Sequence, residues 1–97
     1  MTVARLYVMH AKAGQSAQME AALGKVADLV RTVAGSEGVE LLRDTGNEHR
    51  FIFIEKWDSE ASHAKALSGM PPGSLDAVQA AMDGPPDGAY FDYLKRV

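Results

Sequence analysis

The chain has no cysteine, only 7% aromatic residues and four prolines in 97 residues. Without cysteine there is no disulfide framework, no thiolate metal site and no cysteine nucleophile. A strong excess of one charge is missing too: ten Lys plus Arg stand against thirteen Asp plus Glu, a net charge of −3, and apart from Lys95-Arg96 the basic residues are scattered singly. Nucleic acid and anionic membrane are therefore poor partners. No apolar run approaches the roughly 20 residues that span a bilayer, and the start, Met1-Thr-Val-Ala-Arg-Leu-Tyr-Val, has no signal-peptide pattern. A soluble, cytoplasmic protein is expected. What is present is an ordinary globular mixture, 46% apolar and 24% charged, and its length predicts one domain over residues 1–97.

Val3 to Ala11 is rich in β-formers and is interrupted by Lys12-Ala13-Gly14, which predicts a strand and a turn. From Ser16, apolar residues recur at Met19, Leu23, Val26, Leu29 or Val30, and Val33, the spacing of one helical stripe, with Gly35 as its stop. Gly38 to Arg43 reads as a second strand, Asp44 to Asn47 as a turn and Arg50 to Trp57 as a third strand, together a hairpin. Asp58 or Ser59 caps a second helix over about 60–68, which Gly69 and Pro71-Pro72 end. A third short helix follows, capped by Ser74 and carrying Leu75, Val78, Ala81 and Met82 on one face. A last strand runs from Ala89 to Lys95.

The order β-α-β-β-α-(α)-β is that of an α+β, ferredoxin-like split βαβ fold, a four-stranded antiparallel sheet with both main helices on one face. Phe51-Ile52-Phe53-Ile54 is apolar on both sides of its strand, and strands of that kind are covered on both faces. This chain has no second layer to spare. A homodimer with facing sheets enclosing a cavity is therefore expected.

The string Phe51-Ile52-Phe53-Ile54-Glu55-Lys56-Trp57-Asp58-Ser59-Glu60-Ala61, entering a helix that carries His63, resembles the signature of the antibiotic-biosynthesis monooxygenase domain family. The likeness extends over nearly the whole chain, through Gly14 before the first helix, Glu37-Gly38 at the second strand and an aromatic final strand. It implies a dimeric α+β barrel with a pocket between sheet and helices in each subunit. It also implies oxidation of aromatic quinols or anthrone-like polyketides by O2 with neither metal nor flavin. By that resemblance Trp57 is a pocket tryptophan, and His63 stands where polyketide-oxidising members carry a proton-handling tyrosine. Phe53 replaces their polar amide side chain, which points to a different ligand. Ala66 and Tyr7 stand where haem-degrading members have a tryptophan and an asparagine, which argues against haem.

Reaction of O2 with an electron-rich substrate needs one base and apolar walls. His63 is the candidate catalytic residue, and it has a plain alternative as a half-exposed helix histidine without chemistry. Trp57, Phe53, Tyr7 and Glu55 are the candidate substrate-binding residues. Glu55 shares the parity of Phe53 and Trp57, so it requires either an arginine partner, Arg5 or Arg43, or a shifted pKa. His10 and His49 read as surface residues, and the five methionines as core filling. No metal-ligand spacing or phosphate loop occurs. The expected activity is a cofactor-independent monooxygenase acting on a small hydrophobic or aromatic substrate with O2. A dimeric binding protein for a hydrophobic metabolite and an isomerase on the same barrel are the alternatives.

Overall fold

A computed structural model describes all 97 residues. Its elements are β1 (Val3–His10), α1 (Ser16–Val30), β2 (Ser36–Asp44), β3 (Asn47–Trp57), α2 (Glu60–Ala64), α3 (Asp76–Ala81) and β4 (Asp87–Asp92), with a 3-10 turn over Ala66–Gly69. The four strands form one antiparallel sheet in the order β2-β3-β1-β4. This is the α+β split βαβ architecture that the element order predicts.

The helical stripe of α1 buries Met19, Ala22, Leu23, Val26 and Val30. They pack on the sheet face that carries Phe51, Phe53 and Trp57, each 1% exposed or less. Burying side chains of this size supplies most of the drive to fold, roughly 1.5–3 kcal/mol for each large apolar residue. Gly35 ends the connection from α1 with φ +90°, and a Cβ there would lie 2.5 Å from Ser62 Cβ, so only glycine lets the chain pass against α2. Ser59 caps α2, accepting a hydrogen bond from the Ser62 amide.

Several boundaries differ from the sequence reading: β2 starts at Ser36 rather than Gly38 and β3 at Asn47 rather than Arg50, the pairing of Asp44 with Asn47 tightening the turn between them. The second helix stops at Ala64 and tightens into the 3-10 turn, the Lys65 amide being shared between the carbonyls of Ala61 and Ser62. Ser74 does not cap the third helix; its hydroxyl donates to the Pro71 carbonyl and Leu75 takes the cap position. The last strand begins at Asp87 rather than Ala89 and ends at Asp92, which pairs with Val3; β1 has no strand residue before Val3 to extend the ladder.

The opposite sheet face carries no helix. Leu6 and Val8 of β1 pair with Ile54 and Ile52 of β3, and all four remain half-buried. Leu42 and Phe91 flank them at 48% and 51% exposure, and Lys56 and Glu40 form an ion pair of 3.2 Å on the same face.

Candidate active site

The alternation of β strands sends Arg5, Tyr7 and Met9 of β1 to the helix side, beside Glu55, Phe53 and Phe51 of β3. In the same register Arg5 stands opposite Tyr90 of β4. Short α2, fixed by its Ser59 cap, brings His63 over this part of the sheet. Its ring then meets two phenols: the Tyr7 hydroxyl lies 2.9 Å from Nε2, and the Tyr90 hydroxyl 2.6 Å from Nδ1. A neutral imidazole has one N–H and one bare nitrogen, so one tyrosine donates to the ring while the other accepts from it. Glu55 Oε1 lies 3.6 Å from Nε2 and accepts a hydrogen bond of 3.0 Å from the Trp57 indole N–H.

These groups close one end of a cavity of about 460 Å³ on the helix side of the sheet, within a single chain. Tyr7, Phe53, Glu55, His63 and Tyr90 line it. Apart from Gln79 the rest is apolar, and includes Leu23, Val26 and Val30 of α1 together with Met70, Leu75, Val78 and Met82. Trp57 is not part of the lining. It is fully buried beneath the cavity, with its ring 5.8 Å from that of His63 in edge-on contact, and it meets the site through Glu55.

Neither arginine considered for Glu55 pairs with it. Arg43 is drawn to Glu20 at 2.6 Å. The Arg5 guanidinium instead lies on the rings of Tyr90 and Tyr7, 4.5 and 5.0 Å from their centres. Its Nε is buried without a hydrogen-bond partner. Gly88 makes this stacking possible, because a Cβ there would stand 2.8 Å from Tyr7 Cδ1 and 2.9 Å from Arg5 Nη2.

Burial governs the ionisation of the cluster. It raises the Glu55 carboxyl above its ordinary range, against the opposing pull of the Trp57 hydrogen bond and Arg5. Burial also raises the Tyr7 phenol. The His63 imidazole is lowered by burial and then by the Arg5 charge. All three shifts favour the uncharged forms, so His63 is held as a neutral base. His10 and His49 lie far from this cluster, on a shallow depression with Asp83, and no group of three or more His, Cys, Asp or Glu side chains is placed to hold a metal ion.

Of the residues singled out from sequence, Tyr7, Phe53, Glu55 and His63 meet at the cavity and Trp57 stands behind them. Tyr90 and Arg5 complete the cluster. Sequence reasoning placed Tyr90 only in an aromatic last strand; the signal that finds it is its parity with Arg5 once the β1–β4 register is known.

The fold has close counterparts among solved structures. SnoaB, a cofactor-independent oxygenase from Streptomyces nogalater, superimposes with a TM-score of 0.84 at 18% identity, covering 99% of this chain and 96% of that one. Rv0793 from Mycobacterium tuberculosis matches with a TM-score of 0.80 at 14% identity over 99% and 98% of the two chains. A protein of unknown function from Nitrosomonas europaea gives 0.81 at 22% identity over 99% and 92%. At these identities the likeness is one of fold. No curated protein matches the sequence significantly. The sequence model of antibiotic biosynthesis monooxygenases, by contrast, matches residues 2–84, and the chain belongs to that family.

Proposed function

We propose that the protein is a cofactor-independent monooxygenase that oxidises a small aromatic quinol or enolisable substrate with O2. The observation that carries the reading is the His63 imidazole, held between the Tyr7 and Tyr90 hydroxyls in a mostly apolar cavity whose burial favours its neutral form. Such a site removes an acidic proton and excludes bulk water from the electron-rich anion that remains. That anion supplies the electrons: a C–O bond forms to O2, one oxygen atom stays in the product and the other leaves as water with two substrate hydrogens. Family membership and the likeness to SnoaB support the same chemistry. In this reading His63 takes the proton, Tyr7 and Phe53 flank the substrate, and Trp57 acts by holding Glu55.

The working unit is a homodimer formed through the helix-free sheet face. Leu42 and Phe91 at half exposure, with half-buried Leu6, Val8, Ile52 and Ile54, give this face an apolar surface that no helix covers, with the Lys56–Glu40 ion pair beside it.

The test is oxygen uptake by the purified protein with a panel of hydroquinones. Uptake above buffer is expected for the wild type and loss of it for His63→Ala. Equal rates for wild type, variant and buffer overturn the reading, and tight binding of a quinol without uptake would make the chain a binding protein instead.

A further inference from the structure

We propose that Tyr7 is the proton relay of this site: the ligand's acidic hydroxyl docks on the Tyr7 hydroxyl, its proton passes through Tyr7 to His63, and the half-buried Arg5 supplies the counter-charge to the phenolate or enolate that remains. This rests on the reading above and adds the route of the proton and the residue that balances the charge. Both ring nitrogens of His63 are already occupied by phenols, at 2.9 and 2.6 Å. A ligand hydroxyl therefore reaches the base through a tyrosine, not directly.

Tyr7 is the entry point because it serves Nε2, the nitrogen that faces Glu55 Oε1 at 3.6 Å. A proton arriving at Nε2 lands beside a carboxyl group already oriented by the Trp57 N–H. Tyr90, on the other nitrogen, fixes the ring from behind. In the transfer the ligand O–H bond breaks as a new O–H bond forms on Tyr7. The former Tyr7 proton forms the Nε2–H bond, and the electron pair stays on the ligand oxygen. Nothing is oxidised or reduced in this step.

Arg5 is the second independent observation. It forms no ion pair, its Nε has no partner, and its charge lies against the rings of both phenols. A half-buried cation in this state lowers the cost of a new negative charge nearby. The groups facing His63 are then Arg5 and Tyr7 from β1, Glu55 from β3 and Tyr90 from β4. An ionised ligand and a protonated His63 leave the net charge of the cluster unchanged. The remainder of the cavity, apolar but for Gln79, selects a hydrophobic body bearing a weakly acidic hydroxyl.

The experiment is an anaerobic titration of the full-length protein with 4-nitrophenol, whose ionised form absorbs in the visible. It is run at pH values below the free probe's own transition. The wild type is expected to show the bound phenolate band, its transition lowered by about one pH unit, a tenfold change in acidity. In Tyr7→Phe, which keeps the ring under Arg5, the bound probe is expected to stay neutral. In Arg5→Met its transition is expected to return to the free value or above, and circular dichroism checks that both variants fold. A wild type that binds the probe only as the neutral phenol, or fails to bind it at millimolar concentration, overturns the proposal. So does a Tyr7→Phe variant that ionises the probe like the wild type, a reading that survives any folding defect in Arg5→Met. Because no oxygen is present, an ionised probe with no later quinol oxidation would sink the monooxygenase reading alone.

Discussion

Replacing Gly88 with alanine puts a methyl group into the stack that holds the cluster together. The new Cβ would stand 2.8 and 2.9 Å from Tyr7 Cδ1 and Cε1, and 2.9 Å from Arg5 Nη2. Carbon atoms settle at about 3.5–4.0 Å, so a gap of roughly 0.7 Å or more must open. The guanidinium end of Arg5 can swing aside. The Tyr7 ring cannot do so freely, since its hydroxyl is tied to His63 and its strand is paired on both sides. Overpacking of this kind costs about 1–3 kcal/mol, which for a chain of this size lowers the melting temperature by roughly 4–20 °C. Gly24→Ala is the matched control. No heavy atom lies within 4 Å of a Cβ at Gly24, in the middle of α1, so alanine there should stabilise by about 0.5–1 kcal/mol through helix propensity. Thermal unfolding followed by circular dichroism compares the two, and 4-nitrophenol binding reads the displaced Tyr7. A Gly88→Ala protein that melts within about 1 °C of the wild type and still binds the probe would refute the stacking argument, for it would show the sheet relaxing at almost no cost.

Other outcomes follow from the same geometry. Trp57→Phe keeps a ring in the core but strips Glu55 of its indole donor, and urea unfolding should show a loss of roughly 1–3 kcal/mol; the chain has no other tryptophan, so circular dichroism must report it. His63 is depressed in the folded state relative to its ordinary value of 6.5. The unfolded chain therefore binds more protons there, and stability falls as pH drops below about 6.5; His63→Gln should flatten that fall. Glu55 is raised from 4.5, so the folded state holds its proton longer and stability declines as pH rises through the interval above 4.5. Glu55→Gln should remove that decline in urea titrations across pH 4 to 7, and an unchanged slope would exclude Glu55 as its source. Leu42→Glu, on the open sheet face, is expected to halve the mass seen by light scattering while leaving the circular dichroism spectrum intact.

The parity of strand β3 could be read from sequence because its period of two is local. Phe51, Phe53, Glu55 and Trp57 had to share a face whatever they packed against. The stripe of α1 was legible for the same reason. The partner of Glu55 was not, since the choice between Arg5, Arg43 and another group depends on where β1 and β2 lie against β3. Arg43 had a closer carboxylate in Glu20, and Arg5 found two aromatic faces. Tyr90 was hidden more thoroughly, its role arising only when a strand from the far end of the chain pairs with β1. The length of the second helix also escaped, because Ala66 to Gly69 can follow either helical geometry and Pro71-Pro72 marks only the outer limit of both.

One wall of the cluster stands on the margin of the sheet. β4 has six residues and a single neighbour, β1, so its amides open at lower free energy than those of the two central strands. Each such opening carries Tyr90 away from Nδ1 and releases Arg5 from one of its two rings. The frequency with which the histidine is held by Tyr7 alone is thus set by the fraying of a short ladder, and a ligand that tightens the cluster around His63 should slow hydrogen exchange along 87–92 before it slows exchange anywhere else.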